Sequence, residues 1–566
     1  MFPAKNIFTE LTSIVVCGVA IGLLMAVTAN AFVQTAVIAT EYRTTIPWLE
    51  INLGTHTYSL SSIVSLLLAA ALITFVRKWL KIKDWAGPAD SIYAAHSENA
   101  STDTKKGLGS TLAALIVTSG GGSVGQYGPL VHFGSTIGLF IKNYFSLKMS
   151  TDIFIGCGVA AAISAGFNAP LAGVIFAHEA ILRHFSLRAI APIFIASISA
   201  SAFDEYFFGA TQSMFDLSQA APPLNDILPI FIVLGPVFAF VAIIFMYALR
   251  MTSTFAAKSG HYKPLLPFAA ALICGSVGVI FPEILGLGLE AINELIAGNI
   301  SFGKVGLLLI AKILMTALCI GFGLFGGVFS PALFIGVSIG SLAATSLVFF
   351  GYAGAEQIII ISGMAAVSAS VIGAPITSVL IVLELTGSYD YAVAAMVAII
   401  ISSLVTHRIF GLSFFDRQLL DRGIDMRLGR ESIALSQKSV ITCLESGYVK
   451  LDPKVTGTEA YDLMKEAGMV ESYVVDKSGI FIGKLEIFDA VSASKNSVLD
   501  FLSTDPVTLY ENDSLQNAMI KTVDFVGESI PILSADKKYL KAVVSEGSIF
   551  QAVIDVQDSV SKIERA

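Results

Sequence analysis

Charge is scarce in this chain. Only 14% of its 566 residues are Asp, Glu, Lys or Arg, against about 25% in ordinary soluble domains. A polar-surfaced globule is therefore excluded for most of the length. Cysteine is scarce as well. Cys17, Cys157, Cys274, Cys319 and Cys443 show no metal-ligand spacing, and four of the five lie in apolar stretches. Neither a disulfide framework nor a metal site is expected. There is no basic run, and the net charge is −8, so no nucleic-acid partner is expected. No Walker-type loop and no constellation for covalent catalysis occurs, so an enzyme is not expected. No small-residue cleavage site follows the first apolar stretch, which reads as a membrane span and not as a cleaved leader.

What is present is apolar. Hydrophobic residues make up 55% of the chain, and the mean hydropathy is +0.76. The clearest apolar stretches are Leu11 to Val33, Leu60 to Val76, Ile227 to Leu249, Leu265 to Ile280, Val305 to Ile320 and Val393 to Ser403. Others are short or broken by Gly and Pro. Such breaks at membrane depth are tolerated only where the backbone faces protein or a wet cavity. Roughly 10 to 14 membrane segments are expected, some of them not spanning fully.

Inside this background one pattern occurs twice. Gly158 to Pro170, running on to Glu179, recurs as Gly363 to Pro375, running on to Glu384; both copies have 12 residues from Gly to Pro and 9 from Pro to Glu. A second pair lies upstream of each copy, Gly125-Gln-Tyr-Gly-Pro129 and Gly326-Gly-Val-Phe-Ser-Pro331. The Pro offsets are 202 and 205 residues. The chain thus carries a duplicated membrane unit, with related halves at about 11–215 and 226–410. Gly/Pro-interrupted helices at matching places in two halves point to a transport site at the repeat interface.

The upstream motifs explain how. Pro at the first helical position needs no amide hydrogen. The preceding glycines let backbone approach a ligand. Free N–H groups at the N-terminus of the following helix, with the positive end of its dipole, suit an anion. If the halves are inverted, the two N-termini meet near the midplane and hold a dehydrated monovalent anion without a full buried positive charge. Gln126, Tyr127 and Gly128 in the first motif and Val328 and Phe329 in the second are the candidate anion-binding residues. The competing reading is that Gly and Pro merely pack crossing helices; two pairs in register weigh against it.

Orientation follows from the basic loops. Lys5, then Arg77, Lys78, Lys81 and Lys83, then His407, Arg408, Arg417, Arg422, Arg427 and Arg430 read as cytoplasmic, and Gln34 to Gly54 as an external loop. After about Arg430 charges become frequent and apolar runs shorten to strand length. This tail, 431–566, also repeats: Val449 to Ala460 matches Val507 to Ala518 at an offset of 58. Each copy offers a strand, a helix, two strands (Ser472 to Val475 with Phe481 to Glu486, and Ile530 to Leu533 with Leu540 to Val544) and a short closing helix. Two βαββα units, about 437–495 and 497–558, resemble a tandem CBS domain pair.

On Gly125-Gln-Tyr-Gly-Pro129, Phe167-Asn-Ala-Pro-Leu-Ala-Gly173, Gly327-Val-Phe-Ser-Pro331 and Ser413-Phe-Phe-Asp-Arg-Gln-Leu-Leu-Asp-Arg-Gly423, the membrane portion, 1–430, resembles the CLC family of chloride channels and proton-coupled chloride transporters. The resemblance implies an α-helical polytopic membrane protein with inverted repeats of broken helices, joined to an α/β CBS pair. It implies a homodimer with one anion pathway per subunit, chloride as the permeant ligand, no cofactor, and a place in the cell (inner) membrane with both termini cytoplasmic.

The departures from the family pattern shape the functional expectation. The first motif usually reads Gly-Arg/Lys-Glu-Gly-Pro, with a glutamate that gates the path and carries the proton; Tyr127 stands there, a candidate gate, with Gln126 for the basic residue. The internal proton glutamate of transporter members falls on Ala180, so that proton-pathway position is lost, and the pathway tyrosine falls on Phe415. The serine of the early Gly-Ser-Gly-Ile-Pro motif has no clean counterpart; Ser91 in Gly87-Pro-Ala-Asp-Ser91 is the nearest substitute. Glu179 and Glu384, at equivalent positions, are either functional or acceptors for backbone amides. His132 and His178 are read as pH-tuning or packed, and Lys312 as pairing or snorkelling.

The expectation is a passive chloride channel. A proton-coupled exchanger using atypical residues is the alternative. A fluoride exporter, a CBS-bearing divalent-cation transporter and a sensor with a receptor-like membrane part fit less well. In the tail, an Asp opening the last helix of a CBS unit contacts ribose in nucleotide-binding pairs. Asp489 fits in the first unit and Ser548 stands near that place in the second, so an adenine nucleotide would bind weakly or not at all.

Overall fold

The computed structural model describes residues 4–44, 50–53, 56–97, 103–145, 150–209, 222–444 and 447–565. The chain divides into two compact units, Met1–Gly423 and Ile424–Ala566.

The first unit is helical. Its elements are α1 (Ala4–Thr44), the hairpin β1 (Glu50–Leu53) and β2 (His56–Ser59), then α2 (Ser61–Trp79), α3 (Pro88–His96), α4 (Thr104–Ser119), α5 (Tyr127–Tyr144), α6 (Thr151–Phe167), α7 (Pro170–Phe176) and α8 (Leu187–Phe208). The second half follows with α9 (Leu224–Lys258), α10 (Leu266–Ile280), α11 (Leu289–Ile296), α12 (Phe302–Gly321), α13 (Phe329–Phe349), α14 (Glu356–Ile372), α15 (Pro375–Thr386), α16 (Tyr389–Ile409) and α17 (Phe414–Leu420). Among the described residues, 8 helices are long and apolar enough to cross a membrane, and four shorter apolar helices lie at 151–167, 170–182, 356–372 and 375–386. The stretch read as an external loop from Gln34 is a correction: α1 continues to Thr44, because Ala36, Val37, Ile38 and Ala39 prolong an apolar helical run. The rest of that loop, 45–49 and 54, lies outside the described residues.

The repeat governs the packing. α6 ends on Asn168 in the left-handed conformation (φ 50°) and α14 on Gly373 (φ 79°). Two residues later Pro170 and Pro375 open α7 and α15. A left-handed residue stops a helix and a proline starts one, so each half contains the same break. The α5–α6 and α13–α14 crossings are matched too. A Cβ on Gly134 would strike the Gly158 carbonyl, and one on Gly336 would lie 2.6 Å from the Gly363 carbonyl oxygen. Each crossing is glycine on glycine, as close helix approach in a membrane requires.

The halves exchange contacts reciprocally. Gly125 and Gly327 form an antiparallel bridge, with Gly125 N–H donating to the Gly327 carbonyl at 2.7 Å and Gly327 N–H to the Gly125 carbonyl at 2.6 Å. Glu179 accepts from the amides of Ile376 and Thr377 at 2.9 and 2.8 Å, and from the Thr377 hydroxyl at 2.7 Å. Glu384 accepts from the amides of Leu171 and Ala172, both at 2.8 Å. Residue i meeting j while its counterpart j′ meets i′ is the signature of a two-fold relation. The two carboxylates therefore cap the first turns of the opposite half's short helices, which settles them as acceptors for backbone amides.

The second unit is α/β and contains two repeated βαββα units. The first has β3 (Val449–Leu451), α19 (Gly457–Ala467), β4 (Glu471–Val475), β5 (Phe481–Glu486) and α20 (Ile487–Ala493); α18 (Gly429–Gln437) precedes it. The second has β6 (Leu509–Tyr510), α21 (Leu515–Lys521), β7 (Ile530–Leu533), β8 (Leu540–Val544) and α22 (Glu546–Arg565). β3 pairs parallel with β4, which pairs antiparallel with β5; β6, β7 and β8 repeat this order. The closing helix of the second repeat is longer than the expected Gly547 to Ile554. Val556 and Val560 keep its apolar face buried against Ala434 and Leu435 of α18. Thus α18, ahead of the first repeat in sequence, belongs to the second repeat's core.

Candidate anion pathway

The Gly125–Gly327 bridge brings the two motif loops together, and the first turns of α5 and α13 leave from it. A Cβ on Gly327 would lie 2.8 Å from the Gly128 amide nitrogen, so only glycine admits this approach. First-turn amides have no partner within their own helix, and Pro129 and Pro331 lack one. The first turns that begin at Tyr127 and Phe329 thus start side by side across the half interface, at the Gly125–Gly327 bridge. Beside them, the buried Gln126 Oε1 and Ser330 Oγ have no hydrogen-bond partner among the described residues.

Tyr127 is 2% exposed. Its ring stacks on Phe167 at 3.8 Å between centroids and meets Phe329 edge-on at 5.4 Å. Phe167 and Phe329 are themselves 5.1 Å apart. The hydroxyl donates to the Gly166 carbonyl at 3.1 Å. The donor proton is therefore spent on backbone in this pose, and the ring is wedged between the first repeat's helix break and the second motif. Gly166 leaves room for it, since a Cβ there would stand 2.6 Å from Tyr127 Cε1.

The motif pair also borders a cavity of about 80 Å³. Gly128, Gly327 and Val328 line it together with Trp85, Phe325, Phe414, Phe415 and Arg422. Phe415 is buried at the start of α17. Ser413 caps that helix, accepting from the Asp416 amide at 3.3 Å, and Asp416 pairs with Arg183. Arg183 ends a π-helical segment, Ala177–Leu182, that holds the buried Ala180.

Of the residues expected at the site, Gly128, Val328 and Phe415 line the cavity, and Tyr127, which follows Gln126, packs on Phe329. Ser91 is not with them. It is fully buried on α3, bonded to His132 Nδ1 at 3.0 Å and to Ser135 Oγ at 2.8 Å, and does not line the cavity. The loop before α3 contributes Trp85 instead. A serine inside an apolar helix does not reveal which way it faces, and here α5 offers it two polar partners. Trp85, Arg422 and Phe167 were missed, although the last two lie inside motifs quoted above. His132 is a packed histidine at 3% exposure. His178 bonds the His184 carbonyl at 2.9 Å and stacks on Phe185. Lys312 is fully buried and, among the described residues, pairs with no carboxylate; it donates to the Ile284 carbonyl at 2.9 Å and lies over the Phe334 ring at 4.9 Å. Asp489 sits in the first turn of α20, half-buried.

Two membrane-embedded halves with exchanged caps, meeting at paired helix N-termini, define an anion-pathway protein. The profile of the voltage gated chloride channel family matches residues 66–407, and the chain belongs to that family. The "H(+)/Cl(-) exchange transporter ClcA" of Yersinia pseudotuberculosis serotype IB is 30% identical over 353 residues, covering 60% of this chain and 72% of the relative. The protein of the same name in Citrobacter koseri is 30% identical over 334 residues, covering 57% and 70%. The crystal structure of a slow cyanobacterial Cl−/H+ antiporter superposes with a TM-score of 0.64 at 22% identity, over 72% of this chain and 97% of that one. A eukaryotic CLC transporter superposes with a TM-score of 0.60 at 18% identity, over 96% and 98%, so the shared fold extends through the C-terminal unit.

Proposed function

We propose that this family member is a passive chloride channel, with anion movement not tied to protons. The observation that carries the reading is the identity of two side chains, Tyr127 at the centre of the first motif and Ala180 beside Glu179. Coupled exchange needs a group that takes up a proton and competes with the anion for the path. A phenol, with an ordinary pKa near about 10, does not cycle its proton at neutrality, and alanine has none. The nearby carboxylates, Glu179 and Glu384, are each engaged by two backbone amides. Tyr127 acts as the gate by obstruction, with the motif amides as the anion's ligands. Phe415 supplies a wall where a hydroxyl is expected.

Exchange is the second reading, favoured by the relatives' names. It would have to route protons through other groups, of which His132 and His178 are both held by hydrogen bonds. The active form is a homodimer in the cell membrane with both termini on the cytoplasmic side. The CBS pair serves dimer contact and gating, with at most weak adenine-nucleotide binding at Asp489. Purified protein in liposomes, followed by chloride and pH electrodes together, tests the proposal. Chloride efflux without stoichiometric proton uptake supports it, and a fixed proton-to-chloride ratio rejects it.

A further inference from the structure

Among the residues lining the cavity, Asp90 is the one carboxylate and Arg422 the one cation. Arg422 Nη1 meets Asp90 Oδ1 at 3.1 Å, and Lys106 Nζ approaches the same oxygen at 3.7 Å. The other oxygen, Oδ2, accepts from the Gly87 amide at 2.9 Å, which fixes the carboxylate at the start of α3. The Arg422 guanidinium has no other protein acceptor among the described residues, and the side chain is 47% exposed. Trp85 stands across the same cavity, its ring 5.9 Å from Phe325. Its indole N–H has no protein acceptor among the described residues. An N–H donor and the positive edges of aromatic rings both favour an anion.

We propose that Arg422 and Trp85 form a site for a small monovalent anion at the mouth of this cavity, with the Asp90 carboxylate as its resident competitor. The proposal rests on the reading of the cavity as part of the anion's route. A half-exposed ion pair is weak and readily exchanged. An arriving halide takes over the guanidinium donor that Asp90 occupies, while Gly87 and Lys106 retain the carboxylate. The anion is thus admitted by displacing a charge of its own sign, at a step separate from the Tyr127 obstruction.

Bromide binding to the full-length protein in detergent, measured by calorimetry beside chloride flux in liposomes, tests this. Asp90→Asn should lower the half-saturating bromide concentration by about two- to five-fold, and Arg422→Gln should raise it by a similar factor. Arg422→Lys, which keeps the charge, should stay within about two-fold of wild type. Trp85→Phe should weaken binding while leaving the Asp90→Asn effect in place. The decisive variant is the double one: with Arg422→Gln present, Asp90→Asn should have no effect. An Asp90→Asn gain that survives in the double variant, or bromide binding unchanged in all the variants, overturns the site. Wild-type protein that binds bromide with the expected pattern but carries no passive flux leaves the site standing and rejects the channel reading instead.

Discussion

Tyr127→Phe tests the hydroxyl that ties the ring to the Gly166 carbonyl. The substitution keeps the stack on Phe167 and the edge contact with Phe329, and removes only the hydroxyl that donates to the Gly166 carbonyl at 3.1 Å. A hydrogen bond of this kind contributes about 0.5–1.5 kcal/mol net. If the wedged ring closes the path, its loss raises the fraction of open molecules by a factor of about two to ten. Tyr127→Ala removes the ring altogether and should raise flux further. It should also cost about 3–5 kcal/mol of stability, because a fully buried aromatic leaves a cavity. The assay is initial chloride efflux from liposomes at matched protein density, with thermal unfolding in detergent run in parallel. The expected order is Ala above Phe above wild type in flux, with Phe close to wild type in stability. Flux unchanged in both variants, with only the alanine variant less stable, would refute the gate and leave Tyr127 a packing residue.

Three other expectations follow from the geometry. Glu384→Ala and Glu179→Ala each strip two amides of a charged acceptor, so each should lower stability by about 2–4 kcal/mol, while the proton-to-chloride behaviour stays unchanged; a coupling change in either would give these residues a transport role. Gly336→Ala sets a methyl 2.6 Å from both the Gly363 carbonyl oxygen and Met364 Cα, and should cost about 1–3 kcal/mol, seen as a lower unfolding temperature; a neutral outcome would mean that the crossing is loose. Burial would raise the Asp90 carboxyl, but Arg422, the Gly87 amide, His132 and Lys106 outweigh it and hold it below the usual carboxylate range. Its contribution is present above the unfolded-state pKa and lost as pH falls through the lowered folded value, so wild-type flux should be flat from about pH 6 to about pH 8, and a midpoint in that window would contradict the assignment.

The fold was legible because its determinants are local and duplicated. Asn168-Ala-Pro170 and Gly373-Ala-Pro375 stop one helix and start the next by backbone chemistry alone, and the 205-residue offset declares the repeat. Glu179 and Glu384 could be weighed as amide acceptors because they match across that repeat. Their partners could not be read, since each reaches into the opposite half. The site was legible where it is built from the motif backbone, and illegible where it depends on side-chain direction. Ser91 turns toward His132 and Ser135, while Trp85, in a loop without periodicity, faces the cavity. In the tail, the alternation of strands marks two βαββα units, but α18 packs with the second repeat across the whole first one, a long-range contact that composition does not encode.

The reversal potential of wild-type protein in a planar bilayer, under a chloride gradient and then with a proton gradient added, tests the central claim most directly. Passive conduction places the reversal at the chloride equilibrium potential and leaves it there when the pH of one side is changed. A reproducible shift with the proton gradient at fixed chloride would show that protons move with the anion, and would contradict the reading drawn from Tyr127 and Ala180.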